Sequence, residues 1–177
     1  MAIQKCTPTG IERTFGDNEI IVSKTDLKGR ITYANDVFLR VAGFLEEELI
    51  GQQHNIIRHP AMPRCVFQFL WDTIQTGQEI FAYVVNMCKG GDHYWVFAHV
   101  TPTFDADGQI IGYHSNRRVP MRESIRIIEP FYAKLVEIEN SAPDRKQGLE
   151  NATNYLLKTL SDKNMEYGEF VFAISHY

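Results

Sequence analysis

Apolar and polar positions change period along the chain, and the changes mark out its elements. EIIVSKTDLKGRITYAND reads as two short strands about a turn. Ile20 to Ser23 is β-branched, Asp26 to Gly29 carries turn chemistry, and Ile31 to Tyr33 resumes the strand. Asn35 or Asp36 can cap a short helix through Val41, with Phe38 and Val41 inward and Gly43 at its end. Leu45 to Leu49 is another helical turn, stopped by Gly51. In PRCVFQFLWDTIQTG the residues Val66, Phe67, Leu70, Trp71 and Ile74 recur at steps of three and four, so a longer helix runs from Pro63 to Gly77. The period then shortens to that of strands. Ile80 to Met87, Tyr94 to Thr103 and Ile110 to Val119 are separated by Lys89-Gly90-Gly91-Asp92 and Asp105-Ala106-Asp107-Gly108, which predicts an antiparallel meander.

This order gives an α+β fold: a five-stranded antiparallel sheet with short helices on one face and a pocket between them. Three units follow: a polar, turn-rich flank over 1–19, a domain over 20–120, and a helical extension over 121–177. In the extension Ile125, Ile128, Tyr132, Leu135 and Ile138 form a stripe, and Pro130 predicts a kink or a break. Asp144 to Leu160 reads as a second helix with Leu149, Ala152, Leu156 and Leu160 along one side. The closing YGEFVFAISHY is apolar and needs a cover.

Composition narrows the classes. The chain has 177 residues, 44% hydrophobic and 23% charged, which is globular rather than disordered. A net charge of -4 without a basic, aromatic-interleaved stripe argues against nucleic acid. The pair Arg117-Arg118 reads as a solvated strand end. Three cysteines without a CxxC suggest neither a disulfide framework nor a zinc knuckle, and fit a reducing compartment. MAIQKCTPTGIER has no apolar signal region, and no window approaches the roughly 20 apolar residues of a membrane span. A cytoplasmic protein is expected, reaching a membrane only through a partner. No GxGxxG, GxSxG or Walker A pattern is present, so an enzyme is not expected.

The chemistry concentrates in HNIIRHPAMP, residues 54 to 63. His54 and His59 would point about 140° apart on a helix of ~3.6 residues per turn, and Pro60 disfavours helix at His59, so metal ligation is not expected. A plain loop with histidines bonded to backbone carbonyls and a cofactor clamp both remain open.

From about Thr25 to Arg118 the stretches TDLKGRITYAND, HNIIRHPAMP, LWDTIQTGQ, KGGDHYWV and IIGY follow in an order that resembles a PAS domain. More narrowly they resemble the PAS domain of bacterial aerotaxis receptors, and the chain is similar to the stand-alone PAS partner of bipartite energy-taxis systems. The resemblance implies non-covalent FAD whose redox state is reported. It also implies a cofactor region at Arg58 and His59, a pocket amide at Asn86, helix aromatics at Phe67 and Trp71, and a polar contact at Asn35. Two positions depart from the family pattern: Ala61 replaces the aspartate of RHPDMP, and Ile80 stands where a tryptophan often follows the long helix. An isoalloxazine wants apolar walls and an amide that both donates and accepts, which Asn86 can supply, while Arg58 can meet a diphosphate.

Blue-light PAS relatives form a thiol adduct from an Asn-Cys-Arg-Phe-like motif. His54 holds the equivalent place here, so that photochemistry is not expected. Haem b is the rival cofactor, with His54, His59, His93, His99 and His114 as candidate axial ligands. His93 and His99 share a strand face, and the period alone leaves open which face is inward. A ligand-free interaction module is the third reading. With no effector segment recognised, output is expected by contact: residues 121–177 serve a homodimer or a membrane-bound chemotaxis transducer, or only cap the sheet.

Overall fold

The computed structural model describes residues 6–175. Its elements are β1 (Ile21–Thr25), β2 (Ile31–Ala34), α1 (Asp36–Ala42), α2 (Glu46–Leu49), a 3-10 turn (His54–Ile57), α3 (Arg64–Gln75), β3 (Ile80–Met87), β4 (His93–Phe104), β5 (Ile110–Arg118), α4 (Arg122–Ser141), α5 (Arg145–Asp162) and α6 (Tyr167–Ser175). The strands form one antiparallel sheet in the order β2-β1-β5-β4-β3. The meander strands lie where the apolar alternation puts them.

Asn35 joins the first hairpin to the first helix. Its Oδ1 accepts from the amides of Phe38 and Val22, at 3.1 and 3.0 Å, and its Nδ2 donates to the Ile20 carbonyl at 2.8 Å. One side chain therefore caps α1 and replaces ladder bonds at the end of β1. Gly29, at φ +74°, turns the β1–β2 hairpin, and a Cβ there would lie 2.8 Å from the Trp71 ring. The turn packs against α3 only because that Cβ is missing.

The sheet has two apolar faces, and both are covered. Strand alternation sends Val84, Asn86, Ala98 and Val100 toward α3, and Tyr83, Val85, Trp95 and Phe97 to the opposite face. On that opposite face the Tyr132 hydroxyl of α4 donates to the Tyr83 carbonyl at 2.7 Å, and the Tyr132 ring lies 6.1 Å from Trp95. Phe172 of α6 packs at 4.8 Å from Phe81. The stripe Ile125, Ile128, Tyr132 and Leu135 is buried within the chain, and α6 is the closing apolar segment finding its cover.

Pro130 does not break α4, which runs unbroken from Arg122 to Ser141. The proline sits on the exposed side, where water can satisfy the carbonyl it leaves free, while Ile128, Tyr132 and Leu135 hold the inner side. The pair Arg117-Arg118 is also corrected: Arg118 is exposed, but Arg117 is only 2% exposed and points into the interior.

The extension is tied to α3 by a carboxylate. Glu139, 5% exposed, accepts from the Cys65 amide at 2.8 Å and from Arg64 Nε at 2.9 Å. It thus caps the N-terminus of a helix that is 74 residues away in sequence. Arg64 also reaches the Glu139 and Arg145 carbonyls at 3.3 and 3.2 Å. A Cβ on Gly148 would stand 2.1 Å from the Glu139 carbonyl oxygen, so α5 packs on α4 at a distance open to glycine alone.

Glu139→Ala leaves the Cys65 amide unpaired and takes the counter-charge from Arg64, which keeps only its two carbonyl bonds, and is expected to destabilise the fold by about 2–4 kcal/mol. Lys134→Ala, on the exposed side of the same helix, should stay within about 0.5 kcal/mol. Urea unfolding of the two variants checks this; equal midpoints would contradict the clamp.

Candidate functional site

Between α3 and the inner sheet face lies a cavity that opens to solvent. Phe67, Leu70, Trp71 and Ile74 of α3 make one wall, and Val84, Ala98 and Val100 of the sheet face them. Trp71 meets Tyr113 edge-on, with ring centres 5.4 Å apart at 89°. Two flat apolar walls of this kind suit a planar ring system.

Polar groups enter from β1, β3, β5 and the 3-10 turn. Ser23, Thr25, Ser115 and Arg117 alternate inward along β1 and β5, Asn86 does so on β3, and His54 and Arg58 arrive from the turn. Several of these find no hydrogen-bond partner within the protein: Arg117 Nε and Nη1, Asn86 Nδ2 and Thr25 Oγ1 are buried and unpaired. Arg117 keeps one bond, from Nη2 to Ser23 Oγ at 2.5 Å, and stacks its guanidinium 4.5 Å above the Phe38 ring. Burial pulls its pKa down to about 10, which still leaves it protonated at neutral pH. The lining contains two arginines and no carboxylate.

His54 is the third polar wall, its Nε2 3.4 Å from Ser23 Oγ. Burial, and then the Arg117 charge, press its pKa down to about 3. It is therefore a neutral imidazole across the physiological range.

The residues singled out from sequence separate into two groups. Arg58, Phe67, Trp71 and Asn86 line the cavity. Asn86, which could have been a strand-end amide facing water, is 3% exposed and forms an isolated antiparallel bridge with Arg58. Asn35 is committed to backbone bonds at the β1–α1 junction and does not line the cavity. His59 does not line it either: its Nδ1 accepts from the Ala61 amide at 3.1 Å, and its ring lies 5.4 Å from that of His93. Among the other histidines, His99 stacks on Phe81 at 4.1 Å and bonds Glu79 on the far face, and His114 bonds Asn116. Strand alternation puts His114 on the face opposite Tyr113, Ser115 and Arg117, so among the described residues His54 is the histidine whose ring addresses the cavity.

A family model described as PAS fold matches residues 31–117. The chain carries a PAS domain. Over 121 residues it is 43% identical to the aerotaxis receptor of Escherichia coli, a match covering 68% of this chain and 24% of that protein. It is 28% identical over 99 residues to the nitrogen fixation regulatory protein of Klebsiella pneumoniae, covering 56% of this chain and 20% of that one. The chain thus spans a quarter or less of the length of these relatives. The fold is shared with the dark structure of the Aureochrome1 LOV photoreceptor, at a TM-score of 0.52 and 22% identity over 68% of this chain and 83% of that one. It is shared equally with the light-state dimer of the fungal photoreceptor Vivid, at a TM-score of 0.52 and 21% identity over 60% of this chain and 82% of that one. No helix among the described residues is long and apolar enough to cross a membrane.

Arg117 and His54 are the cavity-lining residues that sequence reasoning undervalued. The signal for Arg117 was available: two adjacent arginines on a strand face opposite sides, so one of them had to point inward.

Because His54 titrates near 6.5 when unfolded and near 3 when folded, the unfolded chain takes up the proton first as pH falls. Stability is then intact above the unfolded value and declines below it, toward the folded value, by up to about 1.4 kcal/mol per pH unit. Between pH 7 and pH 5 the wild type should lose about 2 kcal/mol through this group, and His54→Gln should lose that much less. Denaturant titrations at the two pH values measure it; identical pH slopes would contradict a neutral, partly buried His54.

Proposed function

We propose that this PAS domain binds FAD in the α3–sheet cavity and reports its redox state by protein contact to a chemotaxis-type membrane transducer, working in the cytoplasm without catalytic turnover. One observation carries the reading. Arg117, protonated and buried, has two nitrogens without an acceptor in a carboxylate-free apolar cavity that the Asn86 amide also lines. An unpaired buried donor costs about 1–3 kcal/mol, more when charged, so the arrangement calls for a ligand rich in acceptors with a flat apolar body. The residues present fit a flavin in those terms, and the identity to the aerotaxis receptor supports the taxis context.

When bound, the flavin supplies a redox centre whose ring edge changes charge and hydrogen-bonding capacity with its electron count. Asn86 can answer such a change because its amide presents either a donor or an acceptor, whereas Arg117 only donates. A mismatch of about 1–3 kcal/mol biases a two-state surface by about 5- to 150-fold. The bridge between Asn86 and Arg58 joins the amide's strand to the loop that leads into α3, and Glu139 joins α3 to the extension. The stripe on α4 is already used against the sheet, so contact with a transducer or a second copy falls to the extension's outer side, where Ile127, Tyr155 and Leu157 are exposed.

A haem b reading rests on His54, a neutral imidazole addressing the cavity. Absorption of protein purified from its native host separates the two. A flavin spectrum that bleaches with dithionite is expected; a Soret band that moves with carbon monoxide would support haem, and a colourless protein that takes up no added flavin would leave only an interaction module.

Arg117→Met should lower flavin affinity at least about tenfold while leaving the ligand-free fold equally stable or more so, since a well-packed apolar side chain often replaces a buried charge without loss. Flavin titration and urea unfolding of the same variant decide; unchanged affinity contradicts the assignment.

A further inference from the structure

A second cleft opens from the cavity past Arg58 and Phe67, which line both. Its far wall is Arg145, the first residue of α5, which lies outside the segment matched by the PAS fold model. The charged residues lining this cleft are Arg58, Lys89 and Arg145, with no carboxylate among them. Lys89 is paired with Glu48, whereas neither Arg58 nor Arg145 has an ion-pair partner among the described residues. The two nearby acids are engaged elsewhere: Glu139 with Arg64 and the Cys65 amide, and Asp144 with the Lys146 and Gln147 amides that it caps.

The position of Arg145 is set by its surroundings. Arg64 holds the Arg145 carbonyl at 3.2 Å, and the tight Gly148 contact fixes α5 on α4. Its positive charge faces Arg58, and burial together with that charge lowers the Arg58 pKa. Arg145 is exposed at the mouth and Arg58 is half-buried behind it; Glu139 offsets the Arg58 charge only in part, so the two like charges make a mouth that attracts anions. The other opening of the cavity, past Leu27, Gln53 and Gln75, offers Lys28 as its sole cation.

We infer that Arg145 of the helical extension completes the cofactor site, binding with Arg58 the phosphate groups of a nucleotide whose ring occupies the cavity. This rests on the flavin reading above and adds to it a residue from outside the PAS fold. The extension then contributes directly to ligand affinity, and ligand occupancy in turn favours the docked extension, because coupling between two sites is reciprocal. Arginine suits the role through its fork of donors to phosphate oxygens.

The test is titration of the ligand-free 177-residue chain with riboflavin, FMN and FAD, followed by flavin fluorescence, for the wild type, Arg145→Ala and Lys146→Ala. The last removes an equal charge from the adjacent, likewise exposed position, which does not line the cleft. The wild type should prefer the phosphorylated flavins. Arg145→Ala should lose about tenfold in FAD affinity and leave riboflavin unchanged, while Lys146→Ala matches the wild type. Equal loss for riboflavin and FAD, no loss at all, or a wild type that takes riboflavin as tightly as FAD would overturn the inference and leave the flavin reading standing. A wild type that binds none of the three would remove both.

Discussion

A guanidinium buried without a counter-charge is the constraint on which the domain turns. Arg117 retains one hydroxyl acceptor and one aromatic face, and two of its nitrogens are unpaired. Removing such a group from water costs several kcal/mol, which one serine and one phenyl ring only partly offset. The fold alone gives no reason for it, since β5 would pair as well with a leucine at that place. The surrounding apolar walls, the unpaired Asn86 amide and the uncharged His54 all become intelligible once a planar, acceptor-bearing guest is placed among them.

The second constraint is the way the extension grips the domain. The edge strand β3 is covered on its outer face by α4 and α6, and Glu139 passes the clamp on to the N-terminus of α3, the helix that supplies the apolar wall. The cavity wall and the extension are therefore one mechanical unit. An event at Asn86 has a short route outward: across the bridge to Arg58, through the loop into α3, and by the Glu139 carboxylate to α4. Burial of the α4 stripe decides what kind of surface remains, because a partner meets the outer side of the extension rather than its core-facing side.

Much of this was legible in the sequence. Two-residue alternation located all three meander strands, and the three-and-four spacing from Val66 to Ile74 located α3, because those patterns record which side of each element is buried. Arg58, Phe67, Trp71 and Asn86 were named from motif resemblance and do converge on one cavity. Asn35 was given a polar contact with the cofactor, but its amide is consumed by the local demand of an uncapped helix and a frayed strand end, which no motif displays. Arg117 was read as solvated because charge usually is. The local pattern at Pro130 predicts a kink or a break because tertiary burial on the opposite side of α4 cannot be seen in a local window. The clamp from Glu139 to Cys65 spans 74 residues and has no sequence signature.

The central claim is that a bound flavin occupies the empty hydrogen-bonding positions of Arg117. Side-chain ¹⁵N NMR measures this directly, with the Arg117 resonance assigned by its absence in a methionine variant. On addition of flavin to ligand-free protein, the Arg117 Nε–H signal should shift and exchange more slowly with solvent, and it should shift again on reduction under anaerobic conditions. An Arg117 signal that stays where it was while flavin saturates the protein would contradict the account.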